Sequence, residues 1–273
     1  MPKAISLALE KLNDRVNKIN SLLCVGLDSD FNRLPSQFLT KKHPQFEFNR
    51  WIIEQTHSYV CAYKPNPAFY EARGYQGWLE LEMTMQYLQS YYPDIFLIVD
   101  AKRGDIGSTS EQYLMAVLDK LGADAITLSP YLGKIAIKPF LARKDKVIIV
   151  LARTSNPGAE EFQDLMANGK PIWQHVAKQV VTDWNSLGNC MLVAGATYPH
   201  ELKIIRQIVG EMPLLVPGVG AQGGDLKVVL QVGLNSQNRG LVINSSRGII
   251  FAKDPQNEAK KIQATMKTFL GTN

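Results

Sequence analysis

Short apolar runs, many of them β-branched, alternate along the chain with longer stretches whose apolar positions recur at helical spacing. The strand-like runs cover residues 22–27, 59–63, 95–99, 125–128, 147–151, 191–195, 214–216 and 241–243. Most are continuously hydrophobic rather than alternating, which is the pattern of parallel strands covered on both faces. Between them, Leu114, Val117, Leu118 and Leu121 recur at i, i+3, i+4, i+7, as do Leu226, Val229, Leu230 and Gly233. Trp173, Val176, Val180, Trp184 and Leu187 form another stripe, and Ile262, Met266 and Phe269 a last one. At the start, Ile5, Leu9, Leu12, Val16 and Ile19 lie among charged residues and predict an amphipathic N-terminal helix. Eight strand–helix units in about 250 residues predict a (β/α)8 TIM barrel in a single domain. Its parts are an N-terminal helix over 1–21, barrel strands and loops over 22–251, and a C-terminal helix over 252–273. A doubly wound open sheet is the rival architecture, because one misread strand changes the count. The Gly- and Asn-bearing stretch 156–171 reads as a mobile lid.

Composition narrows the class without choosing a function. The 273 residues are 45% hydrophobic and 20% charged, as in folded globular proteins. The net charge of +5 is scattered, and no run is long enough for a nucleic-acid arm. A small anionic substrate suits this balance better than a polyanion does. Cys24, Cys61 and Cys190 lie far apart in apolar runs, which reads as buried thiols in a reducing, cytoplasmic setting. No metal-ligand spacing appears among His43, His57, His175 and His200. No signal peptide or membrane span is predicted.

In a barrel, chemistry gathers where the strands end. The first run ends in Asp28, the second in Lys64, and the third in Asp100-Ala-Lys102-Arg-Gly-Asp105. On an extended strand, Asp100 and Lys102 face the same way. Alone, the triplet could be a structural ion pair at the rim, Lys64 a surface lysine, and Asp28 a helix cap. Their joint placement at one rim favours a catalytic cluster of alternating sign. Asp124 precedes its strand, so it belongs to the opposite rim and reads as structural. Gly218, Gly220 and Gly223 spell GxGxxG, a dinucleotide signature. The pattern sits in the seventh unit, however, and no Asp or Glu occurs from 226 to 252 to hold a ribose. With Arg247 after the eighth strand, the segment reads instead as a barrel phosphate site.

Asp100-Ala-Lys102-Arg-Gly-Asp105-Ile106-Gly-Ser-Thr109, with Lys64 before it and Pro217-Gly-Val-Gly-Ala-Gln222-Gly-Gly after it, resembles the orotidine 5'-phosphate decarboxylase family in its longer bacterial form. The likeness runs from Leu22 to about Phe251 and includes Asp28, the Thr154-Ser155-Asn156-Pro157-Gly158 segment and Ser246-Arg247. It implies a homodimer that converts orotidine 5'-monophosphate to uridine 5'-monophosphate and carbon dioxide with neither metal nor cofactor. It implies Lys102 as proton donor, with Asp100 and Lys64 as charged neighbours. Asp105 and Ile106 would reach into the partner subunit's site. Asp28 and Thr109 would contact ribose, Ser155 the pyrimidine, and Gln222, Gly223 and Arg247 the phosphate. Three rivals stand beside this reading: a magnesium-dependent sugar-phosphate aldolase or decarboxylase, a non-catalytic nucleotide-binding barrel, and a nicotinamide oxidoreductase.

Overall fold

In the computed structural model, described over residues 6–220 and 223–271, the eight apolar runs become eight parallel strands. They are β1 (Leu23–Gly26), β2 (Ala62–Lys64), β3 (Phe96–Arg103), β4 (Ala125–Leu128), β5 (Val147–Arg153), β6 (Cys190–Ala194), β7 (Leu214–Pro217) and β8 (Leu241–Ser245). Each pairs with its sequence neighbours, and β1 closes on β8 through Leu23↔Ile243 and Cys24↔Asn244. The structure is therefore a single-domain TIM barrel and not an open sheet. The strands are buried almost throughout, which is why their apolar runs do not alternate.

The principal helices are α1 (Leu7–Ile19), α2 (Pro44–Thr56), α3 (Gly74–Tyr91), α4 (Gly107–Leu114), α5 (Gly133–Leu141), α6 (Ile172–Gln179), α7 (Pro199–Val209), α8 (Leu226–Gly233) and α9 (Pro255–Leu270). Ser6 caps α1 through the Leu9 N–H, and Asn20 ends it in the left-handed region at φ 48°. Ile5 lies outside the described residues. The C-terminal helix starts later than the 252 predicted, because the Asp254 side chain caps α9 by accepting from the Asn257 N–H at 2.9 Å. Both α4 and α6 run on into wide π-type turns, Met115–Lys120 and Val180–Trp184. The predicted stripe over 173–187 therefore ends at Trp184, and Leu187 falls in the turn before β6.

The boundaries differ from the sequence reading in a patterned way. β2 begins at Ala62 and not at 59, because His57–Tyr59 forms a 3-10 turn and Arg15 Nε donates to the Val60 carbonyl at 3.1 Å. At the other end, β3, β5 and β8 run past their apolar residues into Arg103, Arg153 and Ser245. Strand structure continues through the polar residues that an apolar-run criterion cuts off. The stretch 156–171 holds a one-turn helix, Glu160–Gln163, and a two-residue hairpin pairing Met166–Ala167 with Lys170–Pro171. No described helix is long and apolar enough to cross a membrane. All three cysteines are buried.

Candidate active site

A cavity of about 460 Å³ opens at the C-terminal ends of the strands. It gathers Asp28, Lys64, Asp100, Lys102, Ser155 and Arg247 from loops or strand ends after β1, β2, β3, β5 and β8. Leu151, Val193 and Leu215 form an apolar stretch of its wall. One face of the cavity is thus charged and another is greasy, a combination suited to a planar anionic ligand.

Asp100 is the hub of the charged face. Its Oδ2 accepts from Lys64 Nζ at 2.8 Å, and its Oδ1 accepts from Lys102 Nζ at 2.8 Å. Thr127 Oγ1, from β4, donates to the same Oδ1 at 2.9 Å. Burial by itself would raise the Asp100 carboxyl, but the ammonium groups of Lys64 and Lys102 hold it well below the usual carboxylate range. Burial by itself would lower Lys64, which is 3% exposed. Asp100 and Asp28 outweigh that and hold its ammonium above the ordinary lysine value. Lys102 differs from Lys64 in access, because half of its side chain meets solvent at the cavity.

The two residues converge by a route that simple strand alternation does not describe. The ladder between β3 and β4 pairs Val99 with Ile126 and then Arg103 with Leu128. Four steps on β3 therefore match two on β4, so the strand is bulged. Lys102 sits inside that bulge at φ 49°, a left-handed backbone that is uncommon for residues other than glycine.

The glycine-rich segment folds back on itself. Gly218, Gly220 and Gly223 all have positive φ. The N–H groups of Gly220, Gly223 and Gly224 donate to carbonyls of Gly224, Gly220 and Gly218 within the loop. The Gly223 N–H, expected from the sequence to face a phosphate, is thus engaged at 2.8 Å, and Gly223 is not among the cavity residues. Gln222 lies outside the described residues. Arg247 does line the cavity, at the start of the one-turn helix Arg247–Ile250.

Asp105, Ile106 and Thr109 do not line the cavity. Asp105 Oδ1 accepts the Ile106 N–H at 2.8 Å, and Ile106 and Thr109 are exposed. Asp124 lies at the opposite rim, as the sequence predicts, and takes Lys11 Nζ at 2.7 Å and the Leu97 N–H at 2.9 Å.

Several cavity residues had been given no role from the sequence, Ser246 among them although it belongs to the quoted likeness. Asn244 and Ser246 line it, and Gly26 permits their approach: a Cβ there would meet Ser246 Oγ at 1.9 Å. Gln163 reaches in from the stretch after β5 while accepting the Thr154 N–H at 2.9 Å. Fully buried Arg153 holds that stretch through Asp164 at 3.1 Å. Among the described residues, no group of three or more His, Cys, Asp or Glu side chains is placed to hold a metal ion.

Comparison with known proteins places the chain in a family. Residues 21–262 match the model of the orotidine 5'-phosphate decarboxylase / HUMPS family. The chain belongs to that family. It is 48% identical over 251 residues to the orotidine 5'-phosphate decarboxylase of Christiangramia forsetii, covering 92% of each chain. It is 45% identical over 258 residues to that of Cellvibrio japonicus, covering 94% of each. Its structure is similar to an OMP decarboxylase of Leishmania donovani, with TM-score 0.86, 37% identity and coverage of 96% of this chain and 98% of that one.

Proposed function

We propose that this protein decarboxylates orotidine 5'-monophosphate to uridine 5'-monophosphate and carbon dioxide, with no metal or coenzyme, through the Lys64–Asp100–Lys102 array. The observation that carries the reading is Asp100 held between two ammonium groups at 2.8 Å each, beside a cavity with an arginine at its edge.

The chemistry requires an answer to one problem. Breaking the C6–carboxylate bond leaves an electron pair on an sp² carbon with little resonance relief. The pair must be stabilised by fixed charge and then protonated. Lys102 suits both tasks. Its half-exposed ammonium is tethered at Asp100 but open to the cavity. An ammonium about 4 Å from the developing charge contributes about 4 kcal/mol at an effective dielectric near 20. It then transfers a proton to C6 and is left as the neutral amine.

Asp100 would lie near the departing carboxylate and repel it, an effect that fades as neutral carbon dioxide forms. Such repulsion helps only if binding energy elsewhere holds the substrate in place. Arg247 is positioned to supply that energy at the phosphate, bidentately. Asp28 Oδ1 is buried without a protein partner, ready to accept from a ribose hydroxyl. Ser155 would meet the pyrimidine. Gln222 would close on the phosphate together with Gly223, whose N–H must first leave its loop carbonyl.

The magnesium-dependent alternative fits the residues less well. Both oxygens of Asp100 are already given to ammonium groups, where a divalent ion would need them. A non-catalytic nucleotide-binding barrel would have no use for a carboxylate clasped between two ammonium groups beside the cavity.

We further propose a homodimer with shared sites. Exposed apolar residues cluster on adjoining units: Ile106 before α4, Met115 after it, and Tyr131, Leu132 and Ile135 around α5. Ser110 Oγ donates to the Ala136 carbonyl at 2.7 Å, so the two helices form one surface. Asp105, Ile106 and Thr109 stand on that surface, positioned for a partner's cavity rather than their own.

The direct test is purified protein with orotidine 5'-monophosphate, with and without a chelator. Turnover to uridine 5'-monophosphate in both is expected. No turnover sinks the reading, and turnover lost to the chelator shifts it to the magnesium rival. Mixing Lys102→Ala with Asp105→Ala subunits should restore about a quarter of the wild-type sites if they are shared across a two-fold. No recovery in verified mixed dimers would refute the shared site.

A further inference from the structure

Thr127 lies in the middle of an apolar strand, is wholly buried, and does not line the cavity. Its hydroxyl nevertheless makes two bonds to the array. It accepts from the Lys102 N–H at 2.9 Å and donates to Asp100 Oδ1 at 2.9 Å. It is the one described side chain bonded both to the Lys102 backbone and to the Asp100 carboxylate.

Both contacts fall where the chain is under constraint. The bulge in β3 takes Lys102 out of the regular ladder. A bulged residue leaves a backbone donor without its ladder partner, and a buried donor must find another. Thr127 supplies that partner. A left-handed backbone at a residue other than glycine persists only when its surroundings over-determine it. The Thr127 bond is such a determinant at Lys102. On the carboxylate, Oδ1 shares its lone pairs between Lys102 Nζ and the Thr127 hydroxyl, which fixes the plane of the group.

We propose that Thr127 is a positioning residue for the decarboxylation: one hydroxyl locks the Lys102 backbone and the Asp100 carboxylate in the arrangement that aims the ammonium into the cavity. This rests on the functional reading above. Thr127 touches neither the Arg247 end of the cavity nor Asp28, so its contribution belongs to the chemical step and not to ligand binding.

The test compares Thr127→Val with Thr127→Ser. Valine keeps the shape and removes both bonds. A kcat loss of roughly 10- to 100-fold is expected, the scale seen when a group that orients a reacting residue is removed. KM and the affinity for uridine 5'-monophosphate should stay within about threefold of wild type, because those report the remote contacts. Serine should recover kcat to within about threefold, since it retains the hydroxyl. If valine does not fold, Thr127→Cys replaces it. Cysteine is close to serine in size but a weak hydrogen-bonding partner, so kcat should rank serine above cysteine. Wild-type turnover with an unchanged valine kcat, or serine and cysteine variants of equal kcat, would overturn the role of Thr127 while leaving the decarboxylase reading intact. A wild type that does not turn over orotidine 5'-monophosphate would overturn both.

Discussion

The two rims of the barrel use the same kinds of side chain and build different things from them. At the N-terminal rim, buried Arg206 donates to four backbone carbonyls, those of Gly210, Met212, Gly233 and Gly240, at 2.6–2.8 Å. Arg15 likewise serves the carbonyls of His57 and Val60, and Asp124 receives the Leu97 N–H together with Lys11. Charge there closes mostly on the backbone, with ion pairs from Lys11 to Asp124 and from Arg15 to Asp94 beside it, and ties loops to strand starts away from the cavity. At the C-terminal rim, Lys64, Asp100 and Lys102 close on one another. Charge closed on backbone is spent on the fold. Charge closed on charge beside a cavity can act on a ligand, provided neighbours such as Thr127 hold it still. The sign and burial of a residue do not separate the two cases. Its partners do.

The sharpest way to break this contrast is Lys102→Ala. Removing the proposed proton donor and its field together should lower kcat/KM by about 10⁴-fold or more. The melting temperature should stay within about 2 °C, because the side chain is half exposed and Asp100 keeps Lys64 and Thr127. Substantial residual turnover would remove Lys102 from the chemistry. The mirror experiment at the other rim is Arg206→Ala. Four carbonyls lose their donor, and a loss of about 3 kcal/mol in stability is expected. In a chain of this size that corresponds to a fall of about 5 °C in melting temperature. Turnover per folded molecule at 25 °C should not change. A variant equally stable, or stable but inactive, would dissolve the distinction between the rims.

The same contrast explains what the sequence made legible. Parallel strands buried on both faces advertise themselves as apolar runs, so the eight units and the closed barrel could be counted. Asp100, Lys102, Lys64 and Asp28 stood out because charge directly after such a run demands a partner. The strand ends were misjudged for the same reason: β3 continues through Asp100 and Lys102, and β5 continues into Arg153. Thr127 was invisible because a threonine in Ala125–Leu128 reads as one more β-branched core position. Only a bulge in the neighbouring strand gives its hydroxyl something to do. The convergence of Asp100 and Lys102 was foreseen, but from an extended strand, whereas the structure achieves it with a left-handed residue. Gly26 carried no local signal, since the side chain it makes room for, Ser246, is 220 residues away in sequence. The phosphate reading of the glycine loop said nothing of its internal bonds, yet the N–H groups of Gly220, Gly223 and Gly224 all bond to carbonyls of the loop itself.

Arg247→Ala probes the remote end of the cavity. It should raise KM for orotidine 5'-monophosphate by about 10- to 100-fold, the loss of one bidentate charged contact, with a smaller effect on a ligand lacking phosphate. Unchanged affinity for the phosphorylated ligand would defeat the assignment.

The smallest effect expected is a pH dependence that belongs to the C-terminal rim. The Asp100 carboxyl is held below the ordinary carboxylate range by Lys64 and Lys102 against the opposing pull of burial. A depressed acid contributes stability that is complete above its unfolded value, about 3.9, and is lost as pH falls toward its folded value. Lys64 is raised, by Asp100 and Asp28 against burial, so its contribution is complete below about 10.4 and lost only as pH climbs through its folded value. Between about pH 5 and 9 neither group changes charge, and neither should shape the stability profile there. Below about pH 4, the stability of wild type relative to Asp100→Asn should fall, by at most about 1.4 kcal/mol per pH unit. Melts of both proteins between pH 3 and pH 7 measure this. A difference that stays level down to pH 3 would mean that the ammonium groups do not depress this carboxyl. The two rims would then no longer differ in how they use charge.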